Sequence, residues 1–547
     1  MRRYILSALV CLSLLAFYVL AWCLPESSKI SIEEPSTQRE LLLLPLDSRP
    51  VCTLLPQQLA KLAGINLILP PKEFLDNYRS PAPRKKISVW LTEELSAHPE
   101  ALISVDMLLS GGLLQARKQA STEEERRLFS QQLAQLKQTG AQLSLFHVIP
   151  RLLVSDELIP DRWYKYRLAE YAQLYDMVEI FGDFAMTEQL AQVSGTIPSE
   201  VLAKYRQLFV AQDALNAELL RQTDAQSLML IGQDDGSPFG LPHRSAELVE
   251  YQLNRNEELQ KHLHLAYGAD ELASLLVARS YLRQSSYRPT IYIKYADASI
   301  PNLIMPYQPI SVAGALEEKL RFLGLQSTED QLKADILLYV SCGHDTYLPS
   351  QQQAQEVKEL LHGAQPLALI DLSANFEERE LLVPQLIKYD VPLNRLSAYA
   401  GWNTFSNSAG TCLAQAAIFT GRLKEVNNRE ERLQLVSANL KFNLERLLDD
   451  YVYQKKLHAQ LKKELLMRGI EPTELNGHDR GYAQSLARFF IQNQALALLH
   501  SNLGRSPYYR DENGSYYLRE MHTSVRLPWP RIFEAEIKVQ PEYGCKK

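Results

Sequence analysis

The sequence predicts an α/β fold: a parallel-strand barrel of the TIM type or a related α/β core, followed by a helical C-terminal region. Short apolar runs with polar residues at their C-terminal side recur between Leu41 and Ala400, and segments with helical spacing lie between them. Alternation of this kind indicates parallel strands joined by crossover helices. A doubly wound sheet also satisfies the pattern, but the even spacing of the runs favours the barrel.

The predicted elements follow one another in a regular order. The strand candidates are residues 41–46, 66–69, 101–105, 143–149, 228–231, 262–268, 290–295, 336–341, 367–370 and 396–400. The helical candidates between them are residues 122–139, 161–181, 199–221, 244–260, 270–283 and 351–362. Almost every strand candidate ends in polar or charged residues, and in a parallel-strand fold these ends lie at one rim.

The character of the chain changes near residue 410. Residues 412–423, 429–467 and 481–503 have helical patterns, and the tail beyond them is rich in aromatic residues. Pro528 and Pro530 flank Trp529 and exclude helix there. We therefore expect residues 39–410 to form an α/β catalytic-type domain and residues 411–547 to form a helical region with an extended aromatic tail.

The N-terminus predicts export from a bacterial cytoplasm. Arg2 and Arg3 precede an uncharged, mostly apolar run over residues 4–24, and residues 25–38 form a polar linker. The run is about long enough to span a bilayer with its positive end inside. Three outcomes fit: a membrane anchor over residues 4–24, a lipoprotein lipidated at Cys23, or cleavage near Ala21. Each predicts a cell-envelope protein, and the first two predict membrane attachment through this segment.

The composition and motifs of the chain exclude several classes of ligand. The net charge is −6, the isoelectric point is near 6.1, and the basic residues are dispersed, all of which argue against nucleic acid. No Gly-x-Gly-x-x-Gly or phosphate-binding Gly-rich loop follows a strand candidate, and the six cysteines lack the spacing of a zinc site. We expect no cofactor and no metal, and a small-molecule or glycan ligand.

Asp234 and Asp235 form the most informative pair in the chain. They follow the apolar run 228–231 directly, so two carboxylates lie at a strand's C-terminal end. Neighbouring like charges separate each other's proton affinities, so one carboxyl can act as an acid while the other stays ionised. The alternative is a turn in which both aspartates cap backbone N–H groups.

Several blocks of this sequence resemble the signatures of an uncharacterised bacterial family, DUF4127. The blocks are residues 45–50 (PLDSRP), 105–113 (VDM to GGL), 232–235 (GQDD), 268–271 (GADE), 401–404 (GWNT) with Asn407, and 527–531 (LPWPR). The resemblance covers nearly everything after the export segment. It implies no activity, so the function has to be inferred from the site.

The pattern of strand ends suggests a glycoside hydrolase. In a retaining, substrate-assisted hexosaminidase, one carboxyl serves as acid and base while its neighbour polarises the substrate's acetamido group, and Asp234 and Asp235 resemble such a pair. An aromatic side chain and amide side chains near the end of the predicted barrel suit the apolar face of a sugar and its hydroxyl groups. The predicted substrate-binding residues are Asp47, Arg49, Asp106, Arg151, Asp270, Glu271, Asn375, Trp402, Asn403 and Asn407.

Other interpretations stay open, including whether the protein is an enzyme. Arg49 with Asp47, and Arg151 with Asp106, fit structural ion pairs, and Asp270 with Glu271 fits a helix cap. A metal-assisted hydrolase would use the ligands Asp106, Asp234, Asp235, Asp270 and His344. A non-catalytic envelope protein would bind a glycan or peptidoglycan fragment.

Overall fold

A computed structural model describes residues 27–156, 159–225 and 227–547. The predicted export segment, residues 1–24, lies outside these residues. Within the described part, none of the helices combines the length and the apolar character needed to cross a bilayer.

Fifteen strands are described. They are β1 (Ser28–Ile30), β2 (Arg39–Leu44), β3 (Ile65–Ile68), β4 (Glu100–Ser104), β5 (Gln142–Ile149), β6 (Ser227–Gln233), β7 (Leu263–Tyr267), β8 (Thr290–Tyr295), β9 (Gln326–Ser327), β10 (Ile336–Gly343), β11 (Leu367–Ser373), β12 (Ala398–Ala400), β13 (Tyr509–Asp511), β14 (Gly514–Arg526) and β15 (Glu536–Lys546).

The α-helices between and after the strands are α1 (Leu54–Leu62), α2 (Arg84–Leu95), α3 (Val105–Ser110), α4 (Leu113–Ala116), α5 (Glu123–Lys137), α6 (Trp163–Glu179), α7 (Thr187–Gly195), α8 (Ser199–Gln222), α9 (Leu241–Asn254), α10 (Glu257–His262), α11 (Leu272–Gln284), α12 (Val312–Leu323), α13 (Gln351–His362), α14 (Val383–Lys388), α15 (Phe405–Glu425), α16 (Arg429–Arg446), α17 (His458–Met467), α18 (Gly477–Leu499) and α19 (Asn502–Arg505). A π-helical segment, Leu447–Leu457, joins α16 to α17.

The strands of the α/β part form two parallel sheets. The first sheet has the order β3-β2-β4-β5-β6-β7, and the second has the order β12-β11-β10-β8-β9. All pairs in both sheets are parallel. When strands are counted from the first of each sheet, both sheets have the order 2-1-3-4-5, with a sixth strand added to the first sheet. This is a doubly wound order.

The predicted α/β core with parallel strands is confirmed, but its strands do not form one closed barrel among the described residues. After β7 the chain starts a new sheet at β8. Regular strand and helix spacing fits both arrangements, because the spacing records local periodicity and not which strand becomes the neighbour. The pairing partners, which distinguish an open sheet from a barrel, are set by packing between distant segments.

Two helices pack against both sheets and form one hydrophobic core with them. Helices α11 and α15 are largely buried, and the main hydrophobic cluster contains residues of both sheets and of both helices. Leu230 and Leu338 represent the first and second sheet in this cluster, and Leu275 and Leu413 represent the helices. The two α/β lobes therefore pack against shared helices, and this packing fixes the relation between their strand ends.

The C-terminal region contains more than helices. After α18 the chain forms an antiparallel sheet in the order β1-β15-β14-β13, in which the linker strand β1 pairs with the last strand, β15. The segment between β14 and β15 runs through consecutive bends over residues 528–533 and carries Trp529. The indole Nε1 of Trp529 donates a hydrogen bond to Ser48 Oγ at 2.8 Å. The tail thus contacts the first lobe beside the end of β2.

Gly232 allows the ends of β6 and β7 to approach closely. A Cβ at this position would lie 2.4 Å from the carbonyl oxygen of Gly268 and 2.6 Å from Leu272 Cδ1. We expect Gly232→Ala to lower the free energy of unfolding by about 1–3 kcal/mol, as overpacking does. Gly195→Ala is the control, since a Cβ there meets nothing within 4 Å. Urea titrations that show equal stability for both variants would contradict the prediction.

Candidate functional site

Arg49 joins the ends of two strands in the first lobe. Its Nη2 lies 2.6 Å from Asp270 Oδ1, beyond β7, and its Nε donates to Asp47 Oδ2 at 2.8 Å, beyond β2. All three side chains are buried. Burial acts to raise the pKa of Asp47, but Arg49 holds it below its usual range. The Asp47–Arg49 ion pair considered from the sequence is present and extends to Asp270.

Asp234 and Asp235 have different surroundings. Asp234 is buried, forms an ion pair with Arg117, and accepts a hydrogen bond from the backbone N–H of Asp235 at 2.9 Å. Asp235 is partly exposed. Burial and the charge of Asp234 raise the pKa of Asp235 to about 7, against the opposing effect of Arg117 and Arg151. The pair therefore combines a carboxyl group paired with Arg117 and a neighbouring carboxyl group that holds its proton up to about neutral pH.

The second lobe reaches the same place. Asn403, which follows β12, has its Nδ2 3.5 Å from Asp270 Oδ2. The backbone N–H of Gly236, after β6, donates to the carbonyl of Tyr307, in the loop after β8, at 3.1 Å. The carboxyl ends of both sheets thus meet, and ligand sites in open α/β sheets form at such ends.

The C-terminal tail closes one side. The Trp529 ring lies 5.6 Å from the guanidinium of Arg49 and 4.7 Å from that of Arg531. The Tyr78 ring is tilted by 43° against the same indole, and the ring centroids are 5.6 Å apart. Arg531 is held by Glu534 through two hydrogen bonds of 2.8 and 2.9 Å. An aromatic and cationic wall therefore borders the acidic strand ends.

Several residues with a strained backbone conformation lie at this site. Five non-glycine residues in the described chain have positive φ, and four of them are Tyr78 (57°), Tyr307 (63°), Phe376 (61°) and Asn403 (55°). Phe376 packs 6.1 Å from Tyr307, and the other three make the contacts given above. Strained conformations persist where surrounding structure enforces them, which is common at functional sites.

Asp76 belongs to this site, although no sequence pattern selected it. Its Oδ1 accepts the backbone N–H of Ser48 at 2.7 Å, next to Asp47. Burial and the charge of Asp47 raise the pKa of Asp76 to about 8. Asp76 follows no strand candidate, so no rim pattern marks it. Arg117 was missed for the same reason, whereas Trp529 and Arg531 lie in one of the family-like blocks.

Arg151 lies beside the aspartate pair and not with Asp106. Burial and the charge of Arg117 lower its pKa, whereas Asp234 and Asp235 raise it. Asp106 is buried and accepts the backbone N–H of Val148 at 3.0 Å. Its other oxygen lies 3.1 Å from His147 Nδ1. Asp106 therefore supports the end of β5 from within the core, so the predicted pairing of Arg151 with Asp106 is not observed.

Three other predicted residues lie apart from the acid pair. Glu271 is fully buried and its Oε1 is 3.5 Å from Lys319 Nζ. Asn407 is buried in the first turn of α15. Asn375 bonds Asp345 at 2.8 Å and Glu380 at 2.7 Å in the second lobe. These contacts give Glu271 and Asn375 structural roles, whereas the buried Oδ1 of Asn407 has no hydrogen-bond partner among the described residues.

Trp402 is almost fully buried. It lines a small cavity of about 20 Å³ together with Arg49 and Glu534, between the strand ends and the tail. The carbonyl of Trp402 accepts the Ser408 hydroxyl at 2.8 Å. The indole therefore packs behind the Arg49 side chain, at the edge of the site.

The proposed metal ligands do not converge. In the described part of the chain, the one group of three potential ligands is Glu520, His522 and Glu542, on the antiparallel sheet. His344 lies in the second lobe, where its Nε2 is 3.2 Å from Ser299 Oγ. The acids of the site are instead interleaved with arginines, which suits binding through hydrogen bonds and charge.

One comparison with known proteins bears on identity. A family model described as "Protein of unknown function (DUF4127)" matches residues 41–538, nearly the whole chain. This match confirms the resemblance seen in the signature blocks. No curated protein matches the chain.

Proposed function

We propose that this chain, which belongs to the DUF4127 family, is an exported cell-envelope glycoside hydrolase of the retaining, substrate-assisted hexosaminidase type. The observation that supports it is the contrast within the aspartate pair. Asp235 is partly exposed and has a pKa raised to about 7, while its neighbour Asp234 is paired with Arg117. An acid with a pKa near the working pH is what proton donation to a leaving group requires.

In the proposed reaction, Asp235 donates its proton to the glycosidic oxygen. The acetamido oxygen of the substrate attacks the anomeric carbon as the glycosidic bond breaks, which gives a cyclic oxazolinium ion. The carboxylate of Asp235 then takes a proton from water, and that water opens the ring with net retention. Asp234 holds the turn that presents Asp235 and supplies negative charge beside the cationic intermediate. In this proposal, Asn403 and the Arg49–Asp270 pair bind hydroxyl groups of the sugar.

Two aryl glycosides test this proposal. We expect the protein to hydrolyse 4-nitrophenyl N-acetyl-β-glucosaminide and to leave 4-nitrophenyl β-glucoside intact, because the second substrate lacks the internal nucleophile. A sugar thiazoline, which mimics the oxazolinium ion, should inhibit, and EDTA should not. Equal hydrolysis of both substrates would contradict substrate assistance, and loss of activity in EDTA would favour the metal-assisted alternative.

A second candidate is a non-catalytic glycan-binding protein of the envelope. Two lobes of the same strand order, with their carboxyl ends in contact through Asp270 and Asn403, support it, because ligand sites often lie between domains. Glycan binding without hydrolysis of any aryl glycoside in the panel would favour this candidate.

A further inference from the structure

The guanidinium groups of Arg117 and Arg151 lie beside the aspartate pair, and the charge of Arg531 also acts on Arg151. Burial lowers the pKa of Arg151, and the charges of Arg117 and Arg531 lower it further. Like charges gathered in a poorly solvated place repel one another unless an anion lies among them.

Two of the three arginines already have a carboxylate partner. Arg117 pairs with Asp234, and Arg531 pairs with Glu534. Arg531 is also packed against the Trp529 ring. These contacts hold the two guanidinium groups in place before any ligand binds.

Arg151 carries a hydrogen-bond donor for which the described residues provide no acceptor. Its Nε–H is buried and has no hydrogen-bond partner among the described residues, and the same holds for the Nε–H of Arg117. Asp234 Oδ2 is also without a hydrogen-bond partner and lies against Arg117. Buried polar groups in folded proteins nearly always have a partner, so the donor of Arg151 indicates a missing acceptor. The guanidinium fork matches the paired oxygens of a carboxylate or a phosphate.

The position of Arg151 puts such an acceptor next to the proposed acid. Arg151 follows β5 and Asp235 follows β6, and these two strands are neighbours. The backbone N–H of Leu152 donates to the carbonyl oxygen of Asp235 at 3.0 Å, which ties the two strand ends together. A ligand that reaches Asp235 would therefore reach Arg151 with an adjacent substituent.

We propose that the ligand of this site is an acidic glycan, whose carboxylate or phosphate substituent is bound by Arg151 beside Arg117. The glycan part of this assignment rests on the proposed function. The anion subsite itself depends only on the arginines, so it is tested by binding and not by turnover.

Isothermal titration calorimetry with the full-length protein tests the assignment. The ligands are N-acetylglucosamine, its lactyl-carboxylate derivative N-acetylmuramic acid, and N-acetylglucosamine 6-phosphate. We expect at least one acidic sugar to bind about tenfold more tightly than the neutral sugar, as a charge-assisted hydrogen bond provides. The acidic sugar that binds more tightly identifies the substituent as carboxylate or phosphate.

Arg151→Gln should abolish this preference, and Arg151→Lys should retain part of it. Exposed Arg488 provides the control, since Arg488→Gln should leave the preference unchanged. Circular dichroism checks that the variants fold. The inference is overturned if the neutral sugar binds as tightly as both acidic ones, if none of the three binds at millimolar concentration, or if Arg151→Gln keeps the preference.

The two proposals fail separately. Preferential binding of acidic sugars without hydrolysis of any aryl glycoside would overturn the hydrolase and leave the anion subsite standing. Hydrolysis of N-acetylglucosaminides without an acidic preference would overturn only the subsite.

Discussion

Asp235→Asn is expected to lower kcat by about a hundred- to ten-thousandfold, the usual contribution of a general acid. The amide has the size of the carboxyl but has no acidic proton to give to the leaving oxygen. Glycan affinity should stay within a few fold, because Arg151 and Asn403 are unchanged. Turnover of the aryl N-acetylglucosaminide and calorimetric binding measure the two quantities independently.

The dependence of kcat on pH provides a second test of the role of Asp235. Only the protonated form of Asp235 donates, so kcat in the wild type should fall as the pH rises through about 7. Asp161→Asn, which changes an exposed aspartate, is the control and should keep both rate and profile. Full turnover in Asp235→Asn would remove this residue from the mechanism. Loss of both turnover and binding in a folded variant would instead assign it to ligand binding.

Lys319→Met is expected to lower the free energy of unfolding by about 3–5 kcal/mol, the cost of leaving a buried charge without its partner. Lys319 and Glu271 are both fully buried, with 3.5 Å between Nζ and Oε1, and Lys319 also lies 3.3 Å from Glu318 Oε2. Methionine fills much of the space but leaves these carboxylates unpaired. Urea unfolding at pH 7.5 measures the loss.

The loss of unfolding free energy in Lys319→Met should depend on pH. Burial raises the pKa of Glu271 from 4.5 to about 7, although Lys319 opposes the rise. The folded state therefore binds more protons than the unfolded state between these values. The contribution of Glu271 to stability is present below 4.5 and is lost as the pH rises to about 7. Without Lys319 the pKa rises further, so Lys319→Met should be less destabilising at pH 5 than at pH 7.5.

Lys333 provides a matched control. It pairs with Asp330 at 3.3 Å on the surface, so Lys333→Met should change stability by less than about 1 kcal/mol. A loss in Lys319→Met as small as this, or one that is equal at pH 5 and pH 7.5, would show that the buried pair does not stabilise the shared core.

Part of the site could be predicted from the residues that follow the predicted strands. The rim pattern selected Asp47, Asp234, Asp235 and Asp270, and the structure places all four near one another. It also selected Glu271, which points into the core toward Lys319 while its neighbour Asp270 bonds Arg49. Both residues lie in the turn between β7 and α11. The sequence pattern marks the turn, but it does not say which of its side chains faces the site.

The sequence by itself determined the alternation of parallel strands and helices, the aspartate pair at a strand end and the family, because these depend on local periodicity and on short blocks of residues. The tertiary structure alone decided that the strands divide into two sheets, that the tail brings Trp529 and Arg531 to the site, and that Asp76 and Arg117 join the acids there. Ser48 is 28 residues from Asp76 and 481 residues from Trp529. Such contacts depend on packing between separate segments, which local periodicity does not record.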